Sequence, residues 1–171
     1  MVDNESHLRF IRIALAEAEK CIPTPTAFCV GCVLVYNPSD TNPAVVISTG
    51  YSRELPGNTH AEANALTKLD SLSASDMAAI SKQLASLKKS DILAQTDVYT
   101  TMEPCSIRTS GLPPCADALI AAKVKRCFIG VSEPDDFVTC EGAQRLKDAG
   151  IEIIWVKGLE EECLKVARRG H

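Results

Sequence analysis

The chain has 171 residues, 46% hydrophobic and 23% charged, with a formal charge of −4 and a pI near 5.4. That balance describes one soluble globular domain with a continuous core, and no apolar run approaches the roughly 20 residues that span a bilayer. The acidic average argues against nucleic acid, whose phosphates select a basic surface, and favours a small-molecule partner.

The opening MVDNESHLRF is polar and acidic, neither a secretory signal nor an Arg-rich transit peptide. It places the chain in the cytoplasm, with the nucleus left open. In that reducing setting its eight cysteines read as thiols or metal ligands rather than disulfides. Asp3 or Asn4 can cap a first helix whose apolar stripe is Leu8, Ile11, Leu15 and Ala18, and the prolines of CIPTP stop it. FCVGCVLVY (28–36) is a short, near-continuous apolar run and predicts a buried strand; NPSDTN is a turn and PAVVISTGY (43–51) a second strand, closing a hairpin.

From Thr59 the period becomes helical, with Ala61, Ala65, Leu66 and Leu69 on one side. Residues 71–95 are rich in Ser, Lys and Asp around Met77, Ile80, Leu84 and Leu87, and read as a surface helix or lid inserted between core elements. DVYTTM then predicts a strand, PPCADALIAAK a helix and RCFIGVS a strand. EGAQRLKDAG is a helix ending on Gly150, IEIIWV a strand and LEEECLKVARRG a last helix. This alternation predicts an α/β fold, a three-layer αβα sandwich around a five-stranded mixed sheet, mostly parallel beyond the hairpin. The whole of 1–171 reads as one domain, without internal repeats.

Of three histidines, His7 and His171 sit near frayed ends, which leaves His60 as the one expected in a structured interior. Glu62 follows two residues later. One reading of Thr59-x-x-Glu62 is a capping box. The other aims His60 and Glu62 at one cavity, which the freer dihedrals of a helix start permit although the helix interior does not. Cys105 and Cys115 have nine residues between them, each preceded by proline at an entry into turn or helix. A disulfide, ordinary core packing and a metal pair are all conceivable for them. Unpaired N–H groups and the positive end of a helix favour thiolate there, and His60, Cys105 and Cys115 together leave one tetrahedral position for water, the arrangement of catalytic zinc. Cys29, Cys32 and Cys127 read as core thiols inside strands, and Cys29-x-x-Cys32 would project to opposite faces.

These residues carry a resemblance. His60-Ala61-Glu62, then Pro104-Cys105 and a later cysteine, resemble the zinc-dependent nucleobase deaminases of the cytidine deaminase superfamily. The long cysteine spacing, with Glu103-Pro104-Cys105-Ser106 and then Pro113 to Ile120, is similar to the pyrimidine deaminase branch of riboflavin biosynthesis. Bacterial members of that branch have Pro-Asn-Pro where Thr26-Ala27-Phe28 stands, Asp-Pro-Asn where Glu133-Pro134-Asp135 stands, and a histidine at Arg53. No reductase domain follows, so the chain resembles the fungal type, which acts on the ribitylamino pyrimidine phosphate.

The resemblance implies hydrolytic deamination with zinc on His60, Cys105 and Cys115, Glu62 moving protons, and backbone near Ala61 holding the ring. It further implies Arg53 and Arg108 near the phosphate, Glu133 and Asp135 near the polyol, and a homo-oligomer such as a dimer. Two alternatives remain: a cytidine, deoxycytidylate or tRNA-adenosine deaminase of the same fold, and a non-catalytic zinc-stabilised binding module with Cys140 or Cys163 as fourth ligand.

Overall fold

A computed structural model describes residues 4–39, 43–136 and 139–171. Asp3 and the turn residues Asp40, Thr41 and Asn42 lie outside the described residues. Helix α1 (Asn4–Glu19) buries Phe10, Ile11, Ala14 and Ala18. The buried stripe therefore shifts from Leu8 and Leu15, which are half-buried, toward Phe10, whose ring lies 4.8 Å from that of Tyr99.

Strand β1 (Gly31–Tyr36) pairs antiparallel with both β2 (Val45–Tyr51) and β3 (Thr96–Met102). β3 pairs parallel with β4 (Arg126–Val131), and β4 parallel with β5 (Glu152–Trp155), giving the order β2-β1-β3-β4-β5. The parallel pairs need crossovers, which α5 (Cys115–Ala122) and α6 (Gly142–Asp148) supply.

Every residue of β1 is buried, because helices cover both faces of the sheet. Alternate side chains sort into two cores. Cys32, Leu34 and Tyr36 join Ala65 of α2 (Ala61–Ser71), Leu119 of α5 and Leu146 of α6. Val33 and Val35 join Ile11 and Ala14 of α1 and Cys163 of α7 (Glu160–Ala167). The layers touch at glycines: a Cβ on Gly31 would stand 1.8 Å from the Ala14 carbonyl oxygen, and one on Gly50 2.3 Å from that of Ala61. Only glycine lets these helices sit directly on the strands.

At the edge of the β3–β4 pair, fully buried Asp97 accepts two bonds from Arg126, at 2.7 and 2.6 Å, and a third from Asn37 at 2.9 Å. His7 is not frayed: its ring stacks on Phe128 at 4.4 Å, with Nδ1 2.9 Å from the Tyr99 hydroxyl, and burial lowers its pKa. His171 likewise stacks on Phe28, at 5.2 Å.

Residues 71–95 form α3 (Ala74–Ile80), a 3-10 turn (Lys82–Ser86) and α4 (Lys89–Leu93), separated where Ser81 and Leu87 turn extended. A capping box between Ser73 and Asp76 starts α3, and Met77, Leu84 and Ile92 reach the core on the α2 side. Cys32 and Cys127 are core thiols, as their strands predict. Cys29, by contrast, precedes β1, and its Sγ lies 2.9 Å from Cys21 Sγ, both thiols being free. Among the described residues no helix is long and apolar enough to cross a membrane.

Candidate active site

Helix α2 begins beside the carboxyl end of β3. His60 is its N-cap, with extended dihedrals (φ −101°, ψ 159°), and no side chain caps the helix. The capping box read from Thr59 and Glu62 does not form. Thr59 instead donates to the Leu55 carbonyl at 2.8 Å and accepts from Asn64 Nδ2 at 3.0 Å. Asn64 also donates to the Tyr51 carbonyl at 2.8 Å, so the turn before His60 is pinned to the end of β2. Glu62 is therefore free of capping work. Its carboxylate is buried, accepts from the Thr100 hydroxyl at 3.0 Å and hydrogen-bonds Cys115. Burial first, then the charge of Cys105, holds the Glu62 carboxyl above its ordinary range.

Cys105 lies in the loop after β3, and Cys115 is the first residue of α5. Their segments are joined directly: Cys115 N–H donates to Cys105 Sγ at 3.3 Å and Ala116 N–H to the Cys105 carbonyl at 3.1 Å. Hydrogen bonding from Cys115, then from His60, pulls the Cys105 thiol down to about 4, while Cys115 rises as its partner in that bond. Two helix starts and one strand end thus deliver an imidazole and two thiols to one point.

His60 Nδ1 lies 3.4 Å from Cys105 Sγ and 3.3 Å from Cys115 Sγ, and all three donor atoms fall within 4.8 Å of one another. Zinc–sulfur and zinc–nitrogen bonds of about 2.3 and 2.0 Å at tetrahedral angles put N and S about 3.5 Å apart. The donor set fits zinc in both chemistry and spacing.

A cavity of about 450 Å³ opens beside His60, lined also by Phe28, Ser52, Arg53, Asn58 and Arg108. Arg53 has a left-handed backbone (φ 64°), and its guanidinium donates to the carbonyls of Phe28 (3.3 Å) and Ile22 (3.0 Å) and to Cys21 Sγ (2.8 Å). It braces the cavity wall as well as facing the space. Arg108 donates to the Asn58 carbonyl across the mouth. Ala61, fully buried, is the first residue of α2.

Glu133 is not a lining residue of that cavity but lies close enough to Cys105, Glu62 and His60 to feel their charges, and it hydrogen-bonds Cys140. Burial pushes it up to about 7, and its Oε2 is buried without a hydrogen-bond partner among the described residues. Asp135 is exposed and does not line this cavity; its neighbour Asp136 does, and pairs with Arg168 at 2.6 Å. Asp136, Asn58 and Ser52 are lining residues that the sequence reading did not pick out. Asn58, two residues before His60, carried the plainest signal.

The chain belongs to a deaminase family: the model for the cytidine and deoxycytidylate deaminase zinc-binding region matches residues 4–131. That region is defined by zinc, and His60, Cys105 and Cys115 are the donors this chain offers it. Within the family it is 42% identical over 167 residues to the diaminohydroxyphosphoribosylamino-pyrimidine deaminase of Schizosaccharomyces pombe, covering 97% of this chain and 36% of that protein. The crystal structure of Aspergillus oryzae Rib2 deaminase, a C-terminal deletion mutant at pH 4.6, superposes with a TM-score of 0.77 at 37% identity, over 96% of this chain and 92% of that one. The same deaminase in complex with DARIPP gives 0.76 at 36% identity, over 96% and 91%. The chain spans about a third of the length of the curated relatives it matches.

Proposed function

We propose that this chain is a zinc-dependent hydrolase that removes ammonia from the pyrimidine intermediate of riboflavin biosynthesis. The substrate is 2,5-diamino-6-ribitylamino-4(3H)-pyrimidinone 5'-phosphate and the product 5-amino-6-ribitylamino-uracil 5'-phosphate. One observation carries the reading: two cysteines with nine residues between them close on His60, with a buried carboxylate, Glu62, against the same donors. The likeness to the DARIPP-bound Aspergillus deaminase and to the Schizosaccharomyces deaminase, whose name gives a phosphoribosylamino pyrimidine, supports a phosphorylated diaminopyrimidine as the substrate class; the ribitylamino form is taken from the fungal-type pattern of the sequence.

Bound zinc supplies Lewis acidity, which makes water nucleophilic near neutral pH. Glu62 would take one proton from the attacking water and give it to the ring nitrogen. It would then take the second from the hydroxyl added to the ring carbon and give it to the departing amine, ending ionised as it began. Its raised pKa suits this, because a group that both takes and gives a proton works best near the operating pH. Thr100 holds Glu62 Oε1 and so limits the carboxylate to one orientation. Backbone at Ala61 orients the ring, and Arg53 and Arg108, at the cavity wall and mouth, attract the phosphate. Glu133, with an unpartnered oxygen, accepts a polar hydrogen of the substrate; Asp135, exposed and off the cavity, is set aside in favour of Asp136.

The same proposal has residues 1–171 acting as one cytoplasmic domain, with 71–95 as a cover over α2, and a homodimer. Ammonia release from a panel of the ribitylamino and ribosylamino pyrimidine phosphates, cytidine and deoxycytidylate tests it. Turnover of the ribitylamino compound alone is expected. Turnover of cytidine or deoxycytidylate instead, or of nothing by zinc-loaded protein, overturns it.

A further inference from the structure

Helix α6 grips the loop that carries Cys105. Glu103 Oε1 accepts the Ala143 N–H at 2.9 Å, and Ser106 Oγ accepts the Glu141 N–H at 3.0 Å. Gly142 lies so close that a Cβ there would stand 1.6 Å from the Pro104 carbonyl oxygen. From the same helix, Arg145 donates through Nη1 to the Ser106 carbonyl at 2.6 Å, and its Nη2 forms an ion pair with Asp117 Oδ1 at 3.0 Å. Ser106 follows Cys105 directly, and Asp117 stands two residues beyond Cys115 in the first turn of α5.

One guanidinium therefore ties together the two segments that carry the thiols. The segments also meet directly through the Cys115 and Ala116 N–H groups, and Arg108 ties the loop to Asn58, but Ile107 and residues 109–113 of the nine-residue loop are exposed. As an ion pair, Arg145 and Asp117 are too exposed, at 43% and 40%, to contribute much stability. What the planar fork contributes is geometry, because one nitrogen stays bonded to Ser106 and the other in ion-pair contact with Asp117 only while the two segments keep one spacing.

We propose that Arg145 is a positioning residue for the metal centre: it fixes the separation of Cys105 and Cys115 and so sets how firmly the site holds zinc. This rests on reading His60, Cys105 and Cys115 as the zinc donors. Groups that orient metal ligands from behind typically change metal affinity by about 10- to 100-fold. A partly exposed strut belongs at the lower end of that range.

The test is the rate of zinc transfer from the loaded protein to a chromogenic chelator, with zinc stoichiometry and melting temperature measured in parallel. Arg145→Met is expected to release zinc about tenfold faster. Arg145→Lys recovers only part of the loss, because one ammonium cannot bond both segments. Asp117→Asn falls between, and the double variant Arg145→Met/Asp117→Asn releases no faster than Arg145→Met. Ile92→Val, in the core under α4, lowers the melting temperature but leaves release unchanged. Should Arg145→Met fold poorly, the lysine and Asp117→Asn variants carry the comparison.

Release from the Arg145 variants within about twofold of wild type overturns the strut while stoichiometric zinc leaves the donor assignment standing. Release that merely follows melting temperature, Ile92→Val included, also overturns it. A wild-type protein without stoichiometric zinc overturns the donor assignment as well.

Discussion

Replacing Glu62 by glutamine removes a titrating carboxylate but keeps its volume and an acceptor for the Thr100 hydroxyl, now 3.0 Å from Oε1. The side chain is only 3% exposed, so the change leaves no cavity and little packing loss. What disappears is proton transfer, which contributes about 10²- to 10⁴-fold to such reactions. That range corresponds to about 3–5 kcal/mol on the barrier. Zinc content should stay stoichiometric, because Glu62 is not among the three donors.

Stability gives an independent sign. Burial and Cys105 raise the Glu62 pKa above 4.5, so ionising it costs folding energy. That cost is absent below the unfolded pKa, grows as pH rises from there, and is complete once pH passes the folded one. Metal-free Glu62→Gln should therefore melt at or above the wild type at pH 7, with the difference vanishing near pH 4. The assay is ammonia release at saturating ribitylamino substrate, with zinc measured on the same sample. A kcat within tenfold of wild type at full zinc loading would refute the assignment of Glu62 as the proton carrier.

Cys115→Ser should leave less than one zinc per chain after a chelator wash and remove the rise in melting temperature that zinc gives the wild type; retention of stoichiometric zinc would displace Cys115 from the donor set. Asp97→Asn strands Arg126 beside a buried neutral partner. It should cost about 3 kcal/mol, read by urea unfolding, with zinc stoichiometry unchanged. Glu133 is pushed up to about 7 by burial, so it charges between pH 6 and 8. Glu133→Gln should flatten the pH dependence of KM across that window, and an unaltered profile would remove Glu133 from substrate binding.

The sheet was legible because burial on both faces leaves an unmistakable apolar run in GCVLVY, and because turn residues and glycines punctuate each later element. The metal donors were legible for a different reason: few histidines compete, and proline places both thiols at chain turns. The cavity wall was less so. Thr26, Ser52, Asn58 and Asp136 come from three separate loops, and nothing local in the sequence says that they converge. Thr59 and Glu62 fit a capping pattern that the fold declines, since Asn64 and Leu55 satisfy Thr59 first. The contact between Cys21 and Cys29 joins a helix end to a pre-strand loop, and only the packing of α1 against β1 brings them together.

The way the donors are delivered has an electrostatic consequence. His60 and Cys115 stand at the amino ends of α2 and α5, so two helix termini, each equivalent to roughly half a positive charge, face the centre. Two thiolates balance a zinc dication, and ionised Glu62 leaves one negative charge, which the two helix ends nearly cancel. A neutral pyrimidine can enter such a balanced pocket without displacing charge. For the proposed substrate, the doubly charged phosphate would gain nothing there and would be left to the cavity wall that carries Arg53 and Arg108. The polarity of the binding channel is thus set by helix direction as much as by side chains.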